Sequence, residues 1–122
     1  MLKAYALESY NKGNYVIVGG DWNQNPPGFD PELIATGDAG VKNDLKNIPK
    51  DFMPERWQWV FDTGVPTNRK ADQVYERGAT PATTIDFFLV SPNLRVQTIK
   101  TLDLGFVDSD HNPVIMKVNL AE

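Results

Sequence analysis

The sequence predicts an α+β domain that begins with one short helix and continues as a series of strands. Residues 2–11 place apolar side chains at helical spacing, and Gly13 follows as a stop signal. Later segments alternate apolar and polar residues, or form short apolar runs bounded by Pro, Gly and Asn, which is typical of strands. A chain of 122 residues with 41% hydrophobic residues supports one packed domain, and no repeat or boundary divides residues 1–122.

The first half of the chain is predicted to hold the helix, one strand and a long loop. The helix covers Leu2 to Asn11, and Leu2, Tyr5, Ala6 and Leu7 lean toward one face. Tyr15 to Gly19 is the first strand. Gln24 to Asp51 reads as a loop, interrupted by a possible turn of helix over Asp30–Ala35, where Asp is a favourable cap and Pro a favourable first helical residue. So long a connection is uncommon unless it lines a site.

The second half is predicted to be mostly strands. The pattern Trp57–Asp62 is aromatic and alternating, and core packing is the favoured fate of its two tryptophans. A polar connection follows from Gly64 to Thr83. The remaining predicted strands are Thr84–Val90, Leu94–Asp103 and Pro113–Leu120.

Composition excludes several classes of protein. The net charge of −4 argues against a free-standing nucleic-acid binder, although a phosphate hydrolase remains compatible with it. The absence of cysteine excludes disulfides and thiolate metal sites. No apolar run approaches the roughly 20 residues that cross a bilayer, so no transmembrane segment is expected.

The stretch Val107–Pro113 contains the only histidine, His111, next to Asp110. Histidine is the side chain that most readily exchanges protons near neutral pH, so proton transfer would most naturally use this residue. In a loop at the mouth of a strand, both side chains can converge on a bound group. The alternative is a polar surface loop without a function.

Two other stretches leave carboxylates at strand ends or inside strands. The run Val16–Gly20 leads into Asp21 and Asn23, which could hold a cation, a water or a phosphate oxygen; alternatively, Asp21 caps the amides of a turn. Asp86 stands alone inside an apolar strand. A buried carboxylate is unfavourable without a partner, and His111 is one obvious partner.

Taken together and in order, these stretches resemble the C-terminal half of the endonuclease/exonuclease/phosphatase family, which includes DNase I-like nucleases. The resemblance runs from roughly Tyr15 to Leu120. Its motifs are Gly20-Asp21-Trp22-Asn23, Ile85-Asp86-Phe87-Phe88 and Ser109-Asp110-His111-Asn112-Pro113-Val114, with a weaker match at Pro66-Thr67-Asn68-Arg69.

The resemblance implies a role for each motif residue in phosphoester hydrolysis with Mg²⁺ or Mn²⁺. Asp21 would orient or deprotonate the attacking water and help bind the metal, and Asn23 would hold water or phosphate. Asp110 would approach the metal directly or through water. His111 would contact the phosphoryl group or accept the water's proton, and Asp86 would fix the tautomer of that ring.

Basic residues of the polar connection are further candidates for phosphate binding. Arg69, Lys70 and Arg77 could face a phosphate-bearing substrate, and of these Arg69 belongs to the weaker family motif. Solvated surface charge is the alternative for all of them.

The fold implied by the resemblance is half of a four-layer α/β/β/α sandwich with mostly antiparallel sheets. In the family, an N-terminal half supplies further metal and phosphate ligands, which Met1 to Asn14 do not offer. The expectation is therefore a hydrolase fragment of unknown phosphoester substrate, weak in metal binding and inactive alone. A sheet face containing Ile17, Phe87, Leu89 and Ile115 would lack an opposing sheet. A second copy of the chain, a chain carrying the N-terminal half, or the loop Gln24–Asp51 folding back could cover it. Self-association is the favoured arrangement, with the loop as the alternative. A non-catalytic interaction module that retains the fold is the alternative.

Overall fold

The computed structural model describes residues 1–30 and 45–121. Within these residues the chain forms one helix and seven strands, and every strand pair is antiparallel. The predicted α+β class is confirmed. In chain order, the elements are α1 (Leu2–Asn11), β1 (Ile17–Asp21), β2 (Gln58–Val60), β3 (Asn68–Arg69), β4 (Ala82–Thr83), β5 (Asp86–Val90), β6 (Leu94–Thr101) and β7 (Val114–Leu120).

The helix and the main strands lie close to their predicted positions. The bounds of α1 agree with the prediction, whereas strand ends differ by up to two residues. Within the polar connection, β3 and β4 are two-residue strands that the sequence did not reveal, because so short a segment has no measurable periodicity. The predicted turn of helix over Asp30–Ala35 lies almost entirely outside the described residues. Among the described residues, no helix has both the length and the apolar character needed to span a membrane.

The central sheet has the order β1-β5-β2, so β5 forms hydrogen bonds on both sides. The register pairs Ile17 with Val90 at one end and Asp21 with Asp86 at the other. Directly opposed residues of antiparallel strands project to the same face. Pairing therefore brings both predicted carboxylates to one end and one face of the sheet.

One face of this sheet packs against α1 and a group of aromatic rings. Leu89 is fully buried in a cluster with Ala6 and Trp57, and Phe87 stacks on Trp22 with ring centroids 5.3 Å apart. The expectation that Phe87 and Leu89 lie on an uncovered face was wrong. Side chains alternate along a strand, and this alternation places both residues on the helix-covered side.

The predicted packing face of the helix is confirmed for Ala6 and Leu7 but was wrong for Leu2 and Tyr5. Ala6 is its only buried residue, whereas Leu2 and Tyr5 are 42% and 73% exposed. Leu7 and Tyr10 complete the contact, and the Tyr10 ring meets Trp57 edge-on at 5.5 Å.

The opposite face of the sheet packs against the β6–β7 hairpin. Val60, Val90 and Leu94 form its buried centre, and Phe88 packs against them. Gly19 lies directly opposite Phe88, and a Cβ at Gly19 would sit only 2.6 Å from the ring. The close approach of strand and ring therefore requires glycine. Ile17 projects to this face and is 46% exposed. Ile115 is 48% exposed on β7, where alternation places it on the face opposite Met116 and Val118, which pack against the cluster. The expectation that Ile17, Phe87, Leu89 and Ile115 share one face was therefore wrong.

Candidate active site

The site is built around the paired ends of β1 and β5, where Asp21 and Asp86 face each other. The chain turns immediately after Asp21, and Asn23 adopts a positive φ of 50°. The Asn23 backbone N–H donates to Asp21 Oδ1 at 2.8 Å. Asp21 thus caps a turn, which was the alternative role predicted for it from the sequence. Its second carboxylate oxygen, Oδ2, lies 3.9 Å from His111 Nε2.

A short hydrogen-bonded ladder brings His111 to these strand ends. The backbone of residues 110–112 runs beside β3, where Arg69 N–H donates to the Asp110 carbonyl at 3.0 Å and Asn112 N–H donates to the Thr67 carbonyl at 2.8 Å. Asn68 and His111 form the antiparallel bridge between these two bonds. Although it lies in a loop, the backbone at His111 is therefore paired as that of a strand residue would be.

Asn112 and Thr67 fix this ladder to the rest of the domain. Asn112 is 3% exposed, and its amide donates to the Pro66 carbonyl at 2.9 Å and accepts from Leu104 N–H at 3.2 Å. Thr67 is fully buried, and its hydroxyl accepts the backbone N–H groups of Ile85 and Asp86. The threonine thereby connects β5 to the segment that carries His111.

The predicted partnership of Asp86 and His111 is confirmed. His111 Nδ1 lies 2.8 Å from Asp86 Oδ2, the distance of a charge-assisted hydrogen bond. The side chains retain 32% and 19% of their surface, so the pair lies at the floor of an open site. An ionised carboxylate only accepts, so Nδ1 must carry a hydrogen.

The surroundings of His111 raise its pKa above the ordinary value. Partial burial opposes the charged ring and acts to lower the pKa, but the hydrogen bond to Asp86 and the charge of Asp86 act in the other direction. The charges of Asp110 and Asp21 add to this effect. The net result is a ring that retains its proton to higher pH than a free histidine does.

Three groups converge closely enough to ligate a single metal ion. One ligand atom each from Asp21, Asp86 and His111 lies within 4.8 Å of the others. Carboxylate oxygens suit Mg²⁺ and Mn²⁺, whereas imidazole is a more typical ligand of Zn, Cu, Fe and Ni. Asp86 is already hydrogen-bonded to His111, so this donor set fits a weakly held cation.

The other predicted site residues lie beside this group rather than in it. The Asp110 carboxylate is not part of the three-residue cluster, although its charge acts on His111. Arg69 turns its guanidinium to the carbonyls of Lys70 and Gln73, at 3.0 and 3.1 Å. It lines a neighbouring groove of about 620 Å³ together with Tyr75 and Phe106. Metal binding by Asp110 and phosphate binding by Arg69 and Asn23 stay predictions.

Asn68 is the site residue that the sequence did not single out. Its amide nitrogen lies 3.2 Å from His111 Nε2 and 3.1 Å from the Asp110 carbonyl oxygen. The sequence indicated Asn68 only through its place in the weak motif Pro66–Arg69. An asparagine in a polar connection gave no reason to choose it over its neighbours as a site residue.

The fold and the site together define a class of protein. It is an α+β domain in which two strand-end aspartates and a loop histidine form one open polar site. The chain belongs to the endonuclease/exonuclease/phosphatase family, whose family model matches residues 2–111. The likeness to this family noted from the sequence is confirmed. Neither the curated proteins nor the solved structures include a significant match to this chain.

Proposed function

We propose that this chain is the C-terminal part of a metal-dependent phosphoester hydrolase that cleaves phosphodiesters or phosphomonoesters. The observation that carries the proposal is the constellation of Asp21, Asp86 and His111 in a member of this family. In it, a proton-exchanging ring is oriented by one carboxylate and faced by another. Hydrolysis requires a water molecule as nucleophile and a positioned group that accepts its proton, and an oriented imidazole or a carboxylate can serve as that base.

His111 and Asp21 are the candidates for handling the attacking water. Asp86 holds the hydrogen on Nδ1, so His111 Nε2 is the ring nitrogen directed toward the Asp21 carboxylate. One of these two groups would accept the proton as the water oxygen bonds to phosphorus. The leaving oxygen then departs with the electrons of its P–O bond and takes up a proton. Asn23, at the turn after Asp21, would hold the water or a phosphoryl oxygen.

A divalent cation fits the acidic side of this site. Asp21 and Asp86 would hold it, with Asp110 directly or through a water molecule. When bound, the cation would neutralise charge on the phosphoryl oxygens and lower the pKa of a coordinated water. Mg²⁺ and Mn²⁺ are the favoured ions because the donors are mainly oxygen atoms.

We further propose that the chain has little or no activity by itself. Only three ligating groups converge among residues 1–30 and 45–121, and the Arg69 guanidinium is bound to loop carbonyls. Removing a single stabilising donor commonly lowers kcat by about two to three orders of magnitude. The site would therefore be completed by a second copy of the chain or by a chain that carries the N-terminal half.

The position of an exposed apolar side chain supports such a partner. Ile17, Gly19 and Asp21 alternate along β1, so they project to the same face. Ile17 is 46% exposed, and Ile115 on β7 is 48% exposed. Ile17 lies four residues from Asp21, or roughly 13 Å along the strand. A partner surface broad enough to cover Ile17 and reach the end of β1 could add groups to the site.

The test is hydrolysis of bis-p-nitrophenyl phosphate and p-nitrophenyl phosphate by the full-length product of the gene, with Mg²⁺ or Mn²⁺. H111A and D86N should each lose most of the activity. D108N provides a matched control, because Asp108 is an exposed aspartate in the same loop. A folded protein without metal-dependent turnover, or full activity in H111A, would favour the alternative of a non-catalytic interaction module.

A further inference from the structure

The side chain of Asn68 is placed to determine which ring nitrogen of His111 accepts a hydrogen bond. Its backbone is fixed on both sides, by pairing with Thr83 in β4 and by the bridge to His111. The half-buried side chain therefore has little freedom, and its amide lies between the His111 ring and the Asp110 carbonyl.

The orientation of the Asn68 amide follows from the Asp110 carbonyl. That oxygen lies 3.1 Å from the amide and also accepts the Arg69 N–H at 3.0 Å. A carbonyl oxygen can only accept, so the group that Asn68 presents to it must be the –NH₂ end. The same nitrogen lies 3.2 Å from His111 Nε2, and it has a second hydrogen to donate there.

The two neighbours of the ring therefore require the same tautomer. Asp86 can only accept, which places the hydrogen on Nδ1. Asn68 donates, which requires Nε2 to present its lone pair. Asp86 and Asn68 each favour the Nδ1–H tautomer independently of the other.

We propose that Asn68 is a positioning residue, whose amide donates to Nε2 and so keeps the neutral ring of His111 in the Nδ1–H tautomer until a reactant takes the place of that hydrogen bond. A merely structural alternative exists, in which Asn68 only ties β3 to the loop at Asp110. The positioning role of Asn68 in catalysis rests on the proposed function, because the Nε2 lone pair matters only if His111 accepts a proton or a hydrogen bond from a reactant. The tautomer itself can be measured without turnover.

The experiment is ¹⁵N NMR of the histidine ring, at a pH above the titration of His111. The chain has one histidine, so its ring signals need no separate assignment. In the wild-type protein, Nδ1 should carry the hydrogen and Nε2 should have the shift of an acceptor. D86N should keep this tautomer because Asn68 still donates, and N68L should keep it because Asp86 still accepts. Only the double variant should relax to the tautomer mixture of a free histidine peptide.

Further variants separate tautomer selection from folding. N68D is isosteric but can only accept, so the ring should take up a proton from solvent and carry hydrogens on both nitrogens to higher pH than in the wild type. N93L is the matched control, because the Asn93 amide also donates to a backbone carbonyl, that of Asn14, away from the site. This control should leave the ring signals unchanged. The proposal is overturned if D86N alone relaxes to the peptide mixture, or if Nε2 in N68D loses its proton at the same pH as in the wild type. Either result would stand whether or not phosphoesters prove to be the substrate.

Discussion

Replacing Gly19 with alanine would add one methyl group where β1 lies against the Phe88 ring. The added carbon would be 2.6 Å from both Cδ1 and Cε1 of that ring. Ordinary carbon contacts are about 3.5–4.0 Å, so the strand or the ring must move by roughly 1 Å. The φ of Gly19 is not positive, so the strain comes from packing and not from the backbone. Because Asp21 lies two residues further along β1, the displacement would also reach the site.

The size of the effect follows from the surroundings of Phe88. The ring packs against Val60, Val90 and Leu94, so it cannot move away without disturbing that cluster. Overpacking of this kind typically costs about 1–3 kcal/mol. Loss of glycine's freedom in the unfolded chain offsets about 0.4–1 kcal/mol of this. The expected fall in the free energy of unfolding is about 1–2 kcal/mol, or a Tm lower by roughly 3–12 °C for a chain of this size.

Urea and thermal unfolding of four proteins would measure this prediction. They are the wild type, G19A, F88V and G19A/F88V. F88V alone should be destabilising because buried ring surface is lost, but it removes the ring atoms that the methyl group of G19A would strike. The double variant should therefore lose less stability than the sum of the single variants, with a coupling energy of roughly 0.5 kcal/mol or more. An additive cycle, or a G19A protein as stable as the wild type, would refute the reasoning.

Three further predictions concern charge, metal and association. D86N should lower the pKa of His111 in an NMR titration, and an unchanged titration would contradict the pairing. Because folding raises this pKa, the protonated His111 stabilises the fold. This stabilisation is complete below the unfolded pKa of about 6.5 and is lost as pH rises through the folded pKa. H111Q should therefore remove this pH dependence from the free energy of urea unfolding. Mg²⁺ or Mn²⁺ should bind with a Kd of about 1 mM and, at ten times that concentration, should raise the free energy of unfolding by roughly 1.4 kcal/mol. D21N and D110A should abolish this stabilisation, whereas D108N should retain it. I17S should weaken association in sedimentation, and an unchanged distribution would exclude this face as the contact.

Much of the framework could be predicted because it depends on strong local signals. The helix ends at Asn11, two residues before Gly13, and β5 is a short apolar run between polar connections. The Asp86–His111 pair was predictable for a different reason. A carboxylate inside an apolar strand needs a partner, and the chain has a single imidazole.

Other features depend on contacts that no local pattern encodes. Alternation shows that Phe87 and Leu89 share a face, but only the packing of α1, Trp22 and Trp59 shows that this face is covered. The two-residue strands β3 and β4 exist because they pair with each other and because β3 also pairs with the loop of His111. The role of Asn68 follows from that pairing, and so does the turning of Arg69 toward its own loop.

The most direct test of the central claim is a hydrolysis assay on this 122-residue chain alone, paired with sedimentation at the same micromolar concentration. The substrate would be bis-p-nitrophenyl phosphate with excess Mg²⁺ or Mn²⁺, and H111A would give the background. If the chain holds one part of a hydrolase site, it should associate, and its turnover should be at or near the H111A background. A clean monomer that hydrolyses the diester at ordinary enzymatic rates, of about 1 to 10³ per second, would contradict the account.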